Sequence, residues 1–122
     1  MTNTFVFDTY ALVEIINGNR NYIKYLNDKI IINNFIFAEL CYALEKMKYP
    51  DADVLTQAYS NFIYPIKPSI IKESMKFRYK NKSKNLSITD CVSFFMAKSL
   101  GIKFLTGDKE FENIGDVEFV RK

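Results

Sequence analysis

The chain reads as an α/β domain of three layers, in which a central parallel sheet of four to five strands carries helices on both faces. Three observations predict this. Short apolar runs such as Phe5-Val6-Phe7 and Ile30-Ile31-Ile32 are continuous, as in strands buried on both faces, and do not alternate. Between the runs lie stretches of about 10 to 12 residues whose apolar positions have helical spacing. Finally, 122 residues with 48 % apolar and 25 % charged content, 4 Gly and 3 Pro suit one globular domain over 1–122, with no linker, repeat or low-complexity segment. A chain of this length buries roughly two-thirds of its unfolded surface and needs no metal or disulfide staple.

The elements follow in order. Phe5-Val6-Phe7 is a strand that stops at Asp8. Ala11, Leu12, Ile15 and Ile16 then form a helix, which Gly18 ends because glycine readily takes the left-handed cap conformation. Tyr22, Ile23 and Leu26 suggest a second, short helix before the strand Ile30-Ile31-Ile32. Asn33 or Asn34 can cap a helix with Phe37, Leu40, Cys41, Leu44 and Met47 on one side, closed by Tyr49-Pro50. Asp51 opens a helix expected to turn Val54, Leu55, Ala58 and Tyr59 inward, and 62–66 reads as a third strand. Pro68 suits the first turn of a helix reaching about Tyr79, with Ile70, Ile71, Met75 and Phe77 as apolar positions. A polar, basic loop from Asn81 to Leu86 leads to a helix started by Ser87 and running from Asp90 to Leu100, with Gly101 as its cap. The run 103–106 is a fourth strand, 107–113 a turn or short helix, and 117–120 a last strand.

Composition removes several chemistries. With no histidine, Ser-His-Asp and Cys-His catalysis and every histidine-dependent zinc site are excluded. Two isolated cysteines, Cys41 and Cys91, are too few for a disulfide scaffold or a four-thiolate site and read as small hydrophobes on helix faces. The 17 basic against 14 acidic residues permit a nucleic-acid partner without requiring one. No apolar run approaches membrane-spanning length, and residues 1–7 carry no basic region of the kind a signal peptide needs, so a cytoplasmic protein without a membrane partner is expected.

Carboxylates, hydroxyls and a modest basic excess remain. In open α/β sheets, function gathers at the carboxyl ends of the strands. Asp8 ends the first strand, Asp108 lies just beyond the strand ending at Thr106, and Glu39 sits early in the helix after the second strand. Asp90 is in the first turn of the helix before the fourth strand, and the pattern leaves open which edge it occupies. Were these four to meet, their mutual repulsion would call for a cation. Hard oxygen donors without histidine suit Mg²⁺ or Mn²⁺, which activate water and stabilise charge on a phosphodiester. Each acid also has a plain structural reading. Asp8 can cap the helix after it, Ser87-Ile88-Thr89-Asp90 has capping-box spacing, Asp108 can accept in the Gly107 turn, and Glu39 can be helix surface.

Four segments in register, from Phe5 to Phe119, tie the acids together. They are Phe5-Val6-Phe7-Asp8-Thr9, the stretch Asn33 to Leu40 around Ala38-Glu39, Leu86-Ser87-Ile88-Thr89-Asp90 followed by Ala97, Leu100 and Gly101, and Phe104-Leu105-Thr106-Gly107-Asp108-Lys109-Glu110-Phe111. On these the sequence resembles the PIN-domain family, and within it the small toxin ribonucleases of the VapC type. The last block, a strand followed by Thr-x-Asp-x-x-Phe, is the most specific. The resemblance implies a PIN-like fold and places the family's acidic ligands on Asp8, Glu39, Asp90 and Asp108, with Thr106 and Thr9 as supporting hydroxyls. It implies endoribonuclease activity with Mg²⁺ or Mn²⁺ held by Asp8, Asp90 and Asp108. Glu39 would be a direct, water-mediated or second-ion ligand, and the products would carry 5′-phosphate and 3′-hydroxyl ends. An antitoxin protein and a second copy of the chain are the implied partners. Cys91 departs from a common alanine, and Gly107 from a common basic residue.

For RNA itself, Lys76, Arg78, Lys80, Lys82 and Lys84 place five charges in nine residues, interleaved with Phe77 and Tyr79. Phosphate contact with base stacking is the functional reading, with Arg78 foremost; a solvated helix end is the plain one. Phe94, Phe95, Phe104 and Phe111 are expected in the core, while Tyr42, Tyr49 and Tyr59 are candidates for a dimer surface. The rivals are an RNA-processing PIN nuclease, a nuclease acting on DNA, and a catalytically silent binding protein on the same fold. A receiver-like signalling domain lacks its acid at the end of 62–66.

Overall fold

The computed structural model describes residues 2–121. Four strands, β1 (Thr4–Phe7), β2 (Lys29–Ile31), β3 (Lys103–Thr106) and β4 (Val117–Phe119), form one sheet in the order β2-β1-β3-β4. Every pair is parallel, with Val6 opposite Ile31 and Phe104, and Thr106 opposite Phe119. Six helices complete a three-layer α/β/α fold: α1 (Thr9–Ile16), α2 (Arg20–Ile23), α3 (Asn34–Lys46), α4 (Ala52–Ser60), α5 (Pro68–Lys80) and α6 (Ile88–Leu100). Single 3-10 turns follow α2 and β3, at Lys24–Asn27 and Lys109–Phe111. Because the sheet is all parallel, the carboxyl ends of its strands share one edge, and the helices must carry the chain back to the other.

The central strands are buried as their apolar runs require. Val6, Phe7, Phe104 and Leu105 are inaccessible, and Phe111 closes an edge-to-face and tilted stack on Phe104 and Phe94 with centroids 5.5 and 5.6 Å apart. Such rings prefer offset contacts because their faces and edges carry opposite partial charge. α6 packs on α5, β1 and β3, and α1 packs on α3. α6 is the most buried helix, and its buried Cys91 acts as the small hydrophobe expected, whereas Cys41 on α3 is only partly covered.

Asn33 joins two of these helices. Its Oδ1 caps α3 by accepting from the Ile36 amide at 2.9 Å, and its Nδ2 donates to Ser93 Oγ of α6 at 3.0 Å, all without solvent access. Asn33→Ala removes a cap and strands a buried hydroxyl, so a loss of about 2–3 kcal/mol is expected in urea unfolding. A change below about 0.5 kcal/mol would mean that water replaces both bonds.

Several sequence expectations are corrected. The segment 62–66 is not a strand. Only Ile63 pairs, in an isolated parallel bridge with Ile32, while Phe62 and Tyr64 are exposed and Pro65 has no N–H to continue a ladder. β2 is a partly exposed edge strand and is not buried on both faces. α4 has no buried residue, Val54 is 71 % exposed, and Asp51 precedes the helix in a left-handed conformation without capping it through its side chain. Met47 is exposed on α3, and Phe95 is only partly buried. Of the tyrosines expected at the surface, Tyr42 is exposed, whereas Tyr49 and Tyr59 pack partly buried against the core. Among the described residues no helix is long and apolar enough to cross a membrane.

Candidate active site

Asp8 is the residue at which β1 becomes α1. Its amide still donates to the Leu105 carbonyl of β3 at 3.0 Å, while its Oδ1 caps α1 by accepting from the Ala11 amide at 2.7 Å. Oδ2 accepts a short hydrogen bond from the Thr106 hydroxyl. Thr106 Oγ1 in turn accepts from the Asp108 amide at 3.1 Å, so one buried hydroxyl fixes both the Asp8 carboxylate and the turn that carries Asp108. Asp108 caps the 3-10 turn after it, its Oδ1 accepting from the Glu110 amide at 3.0 Å. Asp8 is 4 % exposed, yet its plain role as a cap and a place in the cleft coexist.

Glu39 lies one turn into α3, exposed, with Oε1 accepting from Thr9 Oγ1 at 2.8 Å. Asp90 lies in the first turn of α6, where the Ser87 hydroxyl caps its amide at 3.0 Å. α6 must deliver the chain through Gly101 to the amino end of β3, so it starts at the opposite, carboxyl edge. That resolves the edge Asp90 occupies.

The four acids line one open cleft of about 460 Å³ together with Thr9, Tyr10, Val13, Ala43 and Ser87. Among the described residues no Lys or Arg lines it. Burial first, then repulsion from Asp108 and Glu39 and a hydrogen bond shared with Asp108, push the Asp90 carboxyl up to about 6 against the pull of the Ser87 hydroxyl. The Tyr10 phenol is raised to about 12, chiefly by its hydrogen bond to Glu14, and stays protonated. Among the described residues no three acidic or thiol side chains are gathered closely enough to form a ready-made metal site. Thr106 supports the cleft from beneath, and Thr9 stands in its wall. The sequence reading missed Tyr10 and Ser87 as lining residues; the adjacency of Tyr10 to Asp8-Thr9 was the available signal.

Of the five basic candidates, three converge. Arg78, Lys82 and Lys84 line a pocket of about 220 Å³ with Met75, Tyr79 and Leu86. Arg78 Nε donates to the Leu86 carbonyl at 2.9 Å, and the Lys82 ammonium sits 4.8 Å from the centroid of the exposed Tyr79 ring. Leu86 adjoins Ser87 in sequence, so the basic pocket and the acidic cleft share one loop. Lys76 instead faces Glu73 at 3.8 Å, and Lys80 is exposed outside the pocket.

Comparisons with known proteins bear on the fold that carries this cleft. The family model described as PIN domain matches residues 5–117. A chain of a toxin–antitoxin complex from Klebsiella pneumoniae superposes with a TM-score of 0.77 at 23 % identity, over 93 % of this chain and 95 % of that one. VapC20 from Mycobacterium tuberculosis, described as a sarcin–ricin loop cleaving toxin, gives 0.79 at 16 % identity, over 98 % of this chain and 100 % of its own. A chain of VapBC2 from Rickettsia felis, solved with a DNA fragment from its promoter, gives 0.70 at 18 % identity and covers 98 % of both. Curated protein sequences return no significant match. With a family model matching nearly its whole length and this shared architecture, the chain belongs to the PIN-domain family and has the fold of VapC-type toxins.

Proposed function

We propose that the protein is a Mg²⁺- or Mn²⁺-dependent endoribonuclease that hydrolyses RNA phosphodiesters, acting as the toxin of a toxin–antitoxin pair. The observation that carries this reading is that Asp8, Glu39, Asp90 and Asp108 line one cleft in which no basic side chain stands among the described residues. Burial first, and then repulsion from Asp108 and Glu39, raise the Asp90 carboxyl to about 6; a divalent cation relieves the repulsion, and an all-oxygen donor set suits a hard ion. Similarity to a toxin described as cleaving the sarcin–ricin loop, and to chains from toxin–antitoxin complexes, supports the reaction and the partner.

Asp8, Asp90 and Asp108 would hold the cation, with Glu39 as a further ligand directly or through water. Bound there, such an ion lowers the pKa of water and polarises a phosphodiester. The residues of the chain do the rest. Thr106 holds one oxygen of Asp8, and Thr9 restrains Glu39, so neither carboxylate must be ordered when the substrate arrives. Arg78, Lys82 and Lys84 offset the charge of the approaching strand, and Tyr79 offers a face for an unpaired base.

End-mapped cleavage of total cellular RNA tests this. Discrete cuts with 5′-phosphate ends are expected in Mn²⁺ or Mg²⁺, lost in EDTA and restored by excess metal. No cutting by folded, metal-supplied protein would favour a silent binding protein, and cutting that persists in EDTA would exclude the metal.

A further inference from the structure

A second concave site shares Asp108 with the acidic cleft. β3 and β4 are parallel with Thr106 opposite Phe119, and the Val120 amide continues the ladder by donating to the Thr106 carbonyl at 2.9 Å. Asp108 is two residues past Thr106, and Arg121 two past Phe119, so the register brings them off the sheet edge as neighbours. Both line a cavity of about 580 Å³ whose other walls include Lys109, Glu112 and the partly buried Phe119. The backbone carrying Arg121 is held in place. The buried Tyr22 hydroxyl donates to the Val120 carbonyl at 2.8 Å, and Asn21 Nδ2 donates to the Arg121 carbonyl at 3.3 Å. Neither Lys109 nor Arg121 is in an ion pair among the described residues.

Two exposed cations, an aromatic face and a volume suited to one nucleotide thus border Asp108, while Arg78, Lys82 and Lys84 line a separate pocket with Leu86, the residue before Ser87 of the cleft. We propose that this cavity is a nucleotide subsite for the RNA strand beyond the scissile bond, with Lys109 and Arg121 contacting a backbone phosphate and Phe119 packing against the unpaired base. The inference rests on the ribonuclease reading and gives the acidic cleft a second basic neighbour, joined to it at Asp108. Glu112 opposes it, an exposed acid in the same wall whose charge repels the phosphate. That placement gives the site a signature of opposite signs: neutralising the cations weakens binding, and neutralising Glu112 strengthens it.

The experiment is fluorescence anisotropy with a labelled random-sequence RNA of about 12 nucleotides, long enough to span both basic regions at roughly 6 Å per nucleotide in an extended strand. It is run in Ca²⁺, with probe integrity verified on a gel, at several salt concentrations. Arg121→Gln and Lys109→Gln are each expected to weaken binding about three- to tenfold and to reduce the salt slope by about 0.7 for each lost phosphate contact. Glu112→Gln is expected to tighten binding about two- to threefold, a gain that general damage to the fold does not produce. Thermal melts confirm folding of each variant. If both cation variants bind like wild type with an unchanged slope while Arg78→Gln weakens binding, the subsite is overturned and the ribonuclease reading stands. If wild type itself binds no RNA, both fall.

Discussion

With Asp8 in the proposed cation-holding role, Asp8→Asn is expected to cut RNA at least about a thousandfold more slowly than wild type, a loss of roughly 4 kcal/mol of transition-state stabilisation. Its effect on folding should be much smaller. The asparagine Oδ1 can still accept from the Ala11 amide and keep α1 capped. What is lost is the acceptor for the Thr106 hydroxyl, because an amide nitrogen now faces it, at a cost of about 1–2 kcal/mol. Asp8→Ala removes the cap as well and should cost about 3 kcal/mol. Comparing kcat/KM with urea unfolding for the two variants separates the roles. If Asp8→Asn kept more than about a tenth of wild-type activity, Asp8 would be a cap and nothing more.

Asp90→Asn should abolish cleavage and yet stabilise the metal-free protein. In the fold the Asp90 carboxyl titrates at about 6, against an unperturbed 3.8, because burial and the charges of Asp108 and Glu39 disfavour its ionised form. The folded state therefore holds this proton more tightly than the unfolded chain. The associated stability is fully present below about pH 4 and is lost as pH rises through about 6. At pH 7.5 the metal-free wild type carries a penalty of at most about 3 kcal/mol from this group, and of order 1–2 kcal/mol once side-chain adjustment is allowed for. Asp90→Asn removes the penalty, so its metal-free Tm at pH 7.5 should exceed that of wild type by about 4–8 °C, with little difference at pH 4. Mn²⁺ should raise the wild-type Tm and leave the variant almost unmoved. A variant that melts below wild type at pH 7.5 would show that the cleft tolerates its charges without help.

All four acids were legible from the sequence because each sits at a local signal: Asp8 where an apolar run ends, Glu39 after the Asn33 cap, Asp90 after Ser87, and Asp108 in the Gly107 turn. Their convergence was not local, and without the family resemblance Asp8, Asp90 and Asp108 read as ordinary caps or turn acceptors and Glu39 as helix surface. The edge on which Asp90 lies was available from connectivity alone, since a helix feeding a parallel strand must begin at the carboxyl edge. The misread segments fail for a common reason. Apolar residues at 62–66 and in α4 have the spacing of a strand and an inward helix face, but spacing carries no information about whether a neighbour covers them. Of the basic residues, charge density marked the stretch but not which of them meet. The turn after α5 brings Lys82 and Lys84 back to Arg78, whereas Lys76 and Lys80 on α5 stay outside that pocket. Arg121 escaped notice because its adjacency to Asp108 follows from the β3–β4 register, which only the folded sheet displays, and Lys109, though next to Asp108 in sequence, had no partner to mark it.

The bond between Thr106 and Asp8 joins residues 98 positions apart. β1 is the second strand of the sheet, and one of its flanks stays bare until β3 exists. On a ribosome adding roughly 5–20 residues per second, the first acid is made roughly 5–20 s before the hydroxyl that orients it and the last acid beside it. During that interval the nascent chain can form α1 and pair β1 with β2, but it holds no complete cleft. The order of strands along the chain therefore acts as a timer, keeping the carboxylates apart until β3 and the turn after it have been made.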